Sequence, residues 1–171
     1  WRDARVNRIF EGTNEINRLL ISGTLLKRAM TGEIDLLPAV MKAEESLKAG
    51  VPSAPEGTGP FAAEHALLTN LKSVFLAVAG SAVRKHMEKL RDEQEILMAL
   101  ANAAIEIFAL ECTVLRAEKA DAASPGGRAE TMGAAVKVCA CQGATAVSQA
   151  AAQAAAYIEE GKRLEGLMER I

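Results

Sequence analysis

Leu68, Leu71, Phe75, Val78 and Ala82 recur at alternating spacings of three and four, and this seam limits the possible folds more than any other feature. Such spacing places all five on one helical face, the pattern of antiparallel bundles. It predicts a helix from Phe61 to about Arg91, broken at Asp92 or Glu93. A second helix, from about Glu95 to Ala122, repeats the seam through Leu97, Leu100, Ala104, Ile107, Glu111 and Val114. The acidic residue on that face points to a lysine or arginine partner ahead of catalysis. Ser124-Pro125-Gly126-Gly127 reads as a sharp turn. A last helix from about Arg128 to Glu160 or beyond carries Val136, Cys139, Gly143, Val147, Ala150, Ala154 and Tyr157 along one face. Half the residues are apolar yet only 4% are aromatic, so the core must come from closely spaced helices. Gly133, Gly143 and the alanine-rich run 150–156 permit that approach, inside a bundle or at a subunit interface. The expected fold is an all-α antiparallel helical bundle.

Ahead of the bundle, a helix is expected over Asn14 to Met30, with Ile16, Leu19, Leu20, Leu25 and Leu26 spaced for one face. Gly23 weakens its middle, and Thr31-Gly32 closes it. A shorter helix should cover Leu36 to Lys48, with Pro38 tolerated in its first turn and Gly50 ending it. Residues 51–60 hold three prolines and two glycines, which marks a linker. The expected division is therefore 1–50, a linker over 51–60, and a bundle over 61–171.

The formal net charge of −2 provides no basic footprint for nucleic acid. No uninterrupted apolar run reaches ~18 residues, so no membrane span and no signal peptide at the present start are expected. Cys112, Cys139 and Cys141 are read as reduced thiols of a cytosolic or matrix compartment. Cys139 and Cys141 lie about 200° apart around a helix, which argues against a shared metal; both are expected as small buried side chains. His65 and His86 receive no catalytic or metal role. The chain begins at Trp1 without an initiator methionine, so a fragment is expected.

The chemistry-bearing stretch is Arg8-Ile9-Phe10-Glu11-Gly12-Thr13-Asn14-Glu15-Ile16. Thr13 suits an N-cap, because its hydroxyl can accept an orphan amide hydrogen of the first turn, and Glu15 complements the positive helix end. Gly12 adds backbone freedom between carboxylate and helix. Glu11 is thus presented at a corner, where a base can project into a cleft.

Residues 2–18, from Arg2-Asp3-Ala4-Arg5 through Glu11-Gly12-Thr13 to Ile16-Asn17-Arg18, resemble the segment near the end of the catalytic domain of acyl-CoA dehydrogenases, R-D-A-R-I-x-x-I-[YF]-E-G-T-x-x-I-x-R. The resemblance implies that Glu11 is the catalytic base. In that family a carboxylate removes the α-proton of a fatty acyl-CoA thioester while a hydride leaves the β-carbon for the flavin of FAD. Desolvation by the acyl chain raises the carboxylate pKa, and hydrogen bonds to the thioester carbonyl, one from the amide of the base itself, stabilise the enolate. Gly12 would allow close approach to the substrate, and Thr13, Asn14 and Glu15 would contact the cofactor. Some family members carry arginine at the position of Gly23, so that contact is absent here.

Short- and medium-chain members end soon after this helix, whereas the present chain continues. That continuation is similar to the extra C-terminal helical domain of very-long-chain acyl-CoA dehydrogenases. The resemblance implies electron-transfer flavoprotein as acceptor, a homo-oligomer, β-oxidation as the setting, and a bacterial cytoplasmic or mitochondrial matrix location. The earlier helical and β domains of the family are missing, so the chain alone is expected to be inactive. A different class remains open: a helical packing or dimerisation module without chemistry of its own.

Overall fold

The computed structural model describes residues 1–50, 59–123, 127–169 and 171, and is all-α over them. A 3₁₀ helix over Asp3–Arg8 leads into α1 (Asn14–Met30) and α2 (Leu36–Ala49). Helices α3 (Ala62–His86), α4 (Gln94–Ala123) and α5 (Gly127–Ile158) follow, then a short α6 (Gly161–Met168). Most of the expected linker and the turn at 124–126 lie outside the described residues.

Capping chemistry explains the ends of α1. Thr13 Oγ accepts from Ile16 N–H at 3.4 Å. At the other end, Gly32 at φ +75° lets Gly32 N–H reach Ala29 O and Glu33 N–H reach Arg28 O, the paired bonds of a Schellman cap. Helix α2 begins at Leu36 and ends before Gly50, whose φ of +88° stops it.

The long helices bury their small faces. Leu68, Leu71, Val78 and Ala82 of the predicted seam are buried, as are Leu97, Leu100, Ile107 and Val114 of α4 and Val136, Val147, Ala150 and Ala154 of α5. Two core clusters result, one around Leu90, Ile96, Ala155 and Ile158, the other around Leu110, Val114, Val136 and Val147. Phe75 packs against both. Where α4 meets α5, a Cβ on Gly143 would stand at ordinary contact distance, 3.7 Å from Leu110 Cδ2. Helix α2 lies on α3 more tightly: a Cβ on Gly80 would fall 2.5 Å from Val40 Cγ1.

Several sequence expectations are corrected. Helix α3 stops at His86, and residues Met87–Asp92 form a 3₁₀ helix entered through Met87 at φ +49°. This tightening turns Leu90 into the core, at 2% exposure. On α4 Ala103 is buried while the expected Ala104 is half-buried, and on α5 Ile158 is buried while Tyr157 faces out. Cys112 and Cys141 are exposed and Cys139 is half-buried against the second cluster, because the buried seam of α5 runs through Val136, Ala140 and Val147. Ile16, Leu20 and Leu25 of α1 are exposed, since α1 packs on α4 through the side that carries Leu19, Ser22 and Leu26. The α6 helix was not expected.

By length and composition, Ala62–Asp92 and Gln94–Ala123 are apolar enough to cross a membrane, with 18-residue windows averaging hydropathy 1.5 and 1.7. A window average tolerates the few polar residues that interrupt an apolar run, which accounts for the difference from the sequence expectation, and 39% and 44% of those windows are buried within the bundle.

Candidate active site: the Glu11–Gly12–Thr13 corner

Three consecutive residues turn the chain from the 3₁₀ helix into α1. Glu11 lies at φ +55° and Gly12 at φ +97°, both left-handed, before Thr13 returns to φ −59° and ψ 157°. Left-handed backbone at a non-glycine residue costs about 1–2 kcal/mol and persists only where surrounding contacts hold it. Gly12 is required on two grounds. Its φ disfavours any Cβ, and such a Cβ would fall 2.7 Å from Asn17 Oδ1. Asn17 Nδ2 donates to Gly12 O at 2.9 Å, a bond from the first turn of α1 back to the corner. Glu11 is exposed at the apex, with Phe10 beside it also exposed.

Thr13 serves two partners. Its oxygen accepts from Ile16 N–H, which leaves the hydroxyl proton for the Glu15 carboxylate. That carboxylate is held below the ordinary glutamate range, first by its own backbone N–H and next by the Thr13 hydroxyl, with Arg18 and Arg8 adding attraction. Around this start of α1 lies an open groove of about 420 Å³ lined by Arg5, Val6, Arg8, Ile9, Thr13 and Glu15.

Arg18 makes two bonds behind the corner, one to the bundle and one within α1. Arg18 Nε donates to Asn102 Oδ1 of α4 at 2.6 Å, while Arg18 Nη1 reaches Asn14 O at 3.1 Å. Deeper, Ser22 Oγ donates to Leu97 O at 2.7 Å, which satisfies the one buried polar side chain of α1. The other polar candidates lie elsewhere. Glu111 pairs with Lys72 at 2.5 Å, as its seam position implied; His65 pairs with Glu118, and His86 stands 3.4 Å from Glu93.

The five residues singled out in the sequence, Glu11, Gly12, Thr13, Asn14 and Glu15, therefore share one corner. Asn17 and Asn102 were not singled out. Asn17 stands inside the motif, yet its backward bond depends on the left-handed pair before it, which a glutamate does not announce. Asn102 lies 84 positions from Arg18, beyond any local pattern.

Comparison with known proteins identifies relatives of the fold. The family described as "Acyl-CoA dehydrogenase, C-terminal domain" matches residues 70–171. A probable acyl-CoA dehydrogenase of Bacillus subtilis (strain 168) is 41% identical over 129 residues, covering 75% of this chain and 22% of that protein. The mitochondrial very long-chain specific acyl-CoA dehydrogenase of Rattus norvegicus is 28% identical, covering 69% of this chain and 21% of that protein. Among solved structures, the acyl-CoA dehydrogenase of Bacillus anthracis complexed with FAD superposes with a TM-score of 0.91 at 36% identity, over 99% of this chain and 29% of that one. The chain thus spans well under a third of the length of these relatives. With its all-α bundle and a family match over residues 70–171, the chain belongs to the acyl-CoA dehydrogenase family.

Proposed function

We propose that this chain is the C-terminal part of an FAD-dependent acyl-CoA dehydrogenase that α,β-dehydrogenates fatty acyl-CoA thioesters in β-oxidation, with Glu11 as the base. The observation that carries this reading is the corner itself: an exposed carboxylate held in left-handed backbone immediately before a capped helix. A solvated surface glutamate has no need of that conformation.

In this reading the Glu11 carboxylate takes the α-proton of the thioester, and the backbone N–H of Glu11 donates to the thioester carbonyl oxygen as negative charge builds there. Gly12, without a side chain, lets the substrate approach the backbone. FAD, when bound, supplies the acceptor for the β-hydride. Thr13, Asn14 and Glu15 are the proposed cofactor contacts, and the guanidinium groups of Arg5 and Arg8, which line the open groove with Thr13 and Glu15, are the donors that suit such a group. Residues 1–50 act as the end of the catalytic helical domain, and 61–171 as the C-terminal extension beyond the linker. Electron-transfer flavoprotein is the proposed electron acceptor, in a homo-oligomeric enzyme of the bacterial cytoplasm or mitochondrial matrix. The isolated chain, carrying one corner of the site, is inactive.

A packing or dimerisation module is the second reading, favoured by Phe108 and Leu115 on α4 and Val138 on α5, which stand exposed on the bundle. Flavin reduction separates the two. With the parent enzyme and a series of acyl-CoA thioesters, the flavin bleaches and Glu11→Gln abolishes bleaching if Glu11 is the base. Equal bleaching by both proteins places the base elsewhere.

A further inference from the structure

We infer that Asn17 is a positioning residue for Glu11, locking the left-handed corner from which the carboxylate acts. The inference rests on the proposed role of Glu11 and adds a residue that the motif itself does not assign. Its basis is geometric. Glu11 and Gly12 are two successive left-handed residues, at φ +55° and +97°. Their peptide planes determine where the Glu11 side chain leaves the backbone and where its N–H points. The Asn17 side chain folds back on this pair, with Nδ2 donating to Gly12 O at 2.9 Å and Oδ1 occupying the space that a Gly12 Cβ would need. The same residue is anchored from behind, since its own backbone N–H donates to Thr13 O at 2.9 Å. Asn17 therefore ties the carbonyl just after the base to the first turn of α1, and a rotation of the Gly12 peptide must break that bond.

The chemistry needs such a lock. A carboxylate that abstracts a carbon-bound proton works only when its oxygen, the α-carbon and the donor to the thioester carbonyl are held together, and misplacement by about 1 Å can lower the rate a hundredfold. Asn17 is exposed, so its replacement leaves the core untouched. Asparagine supplies the donor in the right place. Aspartate has the same shape, offers no N–H, and sets a carboxylate against the Gly12 carbonyl. Alanine removes the bond without adding charge.

The test uses the full-length, FAD-loaded parent enzyme with Asn17→Ala, Asn17→Asp, Asn17→Gln and Glu11→Gln, read by kcat, KM and melting temperature. A positioning role predicts that Asn17→Ala and Asn17→Asp lower kcat about ten- to a hundredfold with KM within about twofold of the parent. Flavin content and melting temperature stay at parent values, and Asn17→Gln, which keeps a donor, recovers most of kcat. If Asn17→Ala keeps the parent kcat while Glu11→Gln is inactive, the positioning role is overturned and the base assignment stands. A loss confined to Asn17→Asp that disappears at higher pH also overturns it, because added charge then explains the effect. If Glu11→Gln retains activity, the base assignment fails and the inference fails with it.

Discussion

Arg18 on α1 and Asn102 on α4 are joined by a 2.6 Å hydrogen bond, 84 residues apart in sequence. The guanidinium sits one turn inside the helix that begins at the Glu11 corner, and the amide belongs to the long bundle helix. Together with Ser22 Oγ on Leu97 O, this bond sets where α1 lies on the bundle.

Bonds to a charged donor in half-buried surroundings are worth about 1.5–3 kcal/mol. Asn102→Ala should therefore lower stability by about 1–2 kcal/mol, seen as an earlier urea midpoint at unchanged slope. Asn102→Asp keeps an acceptor of the same shape and adds opposite charge, so it should match or exceed the parent. Equal midpoints for all three proteins would show that the bond contributes nothing.

Gly80 and Gly23 predict opposite signs for the same substitution. Both lie inside helices, where alanine is favoured over glycine by about 1 kcal/mol. A Cβ at Gly23 meets nothing within 4 Å, so Gly23→Ala should stabilise by about 0.5–1 kcal/mol. A Cβ at Gly80 runs into Val40 Cγ1 at 2.5 Å, and valine has no flexible end to swing away. Overpacking of about 1–3 kcal/mol should outweigh the propensity gain, so Gly80→Ala destabilises. In a Val40→Ala background the penalty should vanish; thermal melts of the double-mutant cycle measure that coupling.

Glu15 gives a pH-dependent prediction. Its carboxylate is held below the ordinary range by its own backbone N–H and by the Thr13 hydroxyl. A depressed folded-state pKa means that the interaction is fully present above the unfolded value, near 4.3 for glutamate, and is lost as pH falls through the lower folded value. An NMR titration of the Glu15 side chain should show a midpoint below that of a model peptide. Thr13→Val should move the midpoint upward and fray the first turn of α1. A midpoint already at the peptide value would remove the Thr13 contact from the account.

Lys72 and Glu111 form a 2.5 Å ion pair with both side chains open to solvent over less than half their surface. Exposed pairs contribute about 0.2–1 kcal/mol and are screened by salt. Glu111→Gln should change stability by less than about 1 kcal/mol, with the difference shrinking in 1 M salt. In the parent enzyme it should leave flavin reduction untouched, in contrast to Glu11→Gln. Loss of flavin reduction would move Glu111 from the bundle surface into the chemistry.

What the sequence disclosed depended on how local the cause was. The ends of α1 were legible because Thr13 and Thr31-Gly32 are capping signals within a turn of the residues they satisfy. The seam through Leu68, Leu71 and Val78 was legible because burial recurs with the helical period. The stop of α3 at His86 was hidden, since Met87 adopts φ +49° without glycine or proline to signal it. The exposure of Tyr157 and burial of Ile158 turn on a rotation of about 100° per residue, finer than an apolar face can resolve on an alanine-rich helix. At the candidate site, the motif identified the corner, while its clamp through Asn17 requires the folded backbone.

Phe75, half-buried on α3, packs against both core clusters. The two ends of the bundle therefore cannot loosen independently through the middle of α3. In hydrogen-exchange terms, amides flanking Phe75 should exchange only through global opening, while those near Ala62 and His86 exchange through local fraying. The ring, with the three helices that run through both, thus joins two half-cores into one cooperative unit.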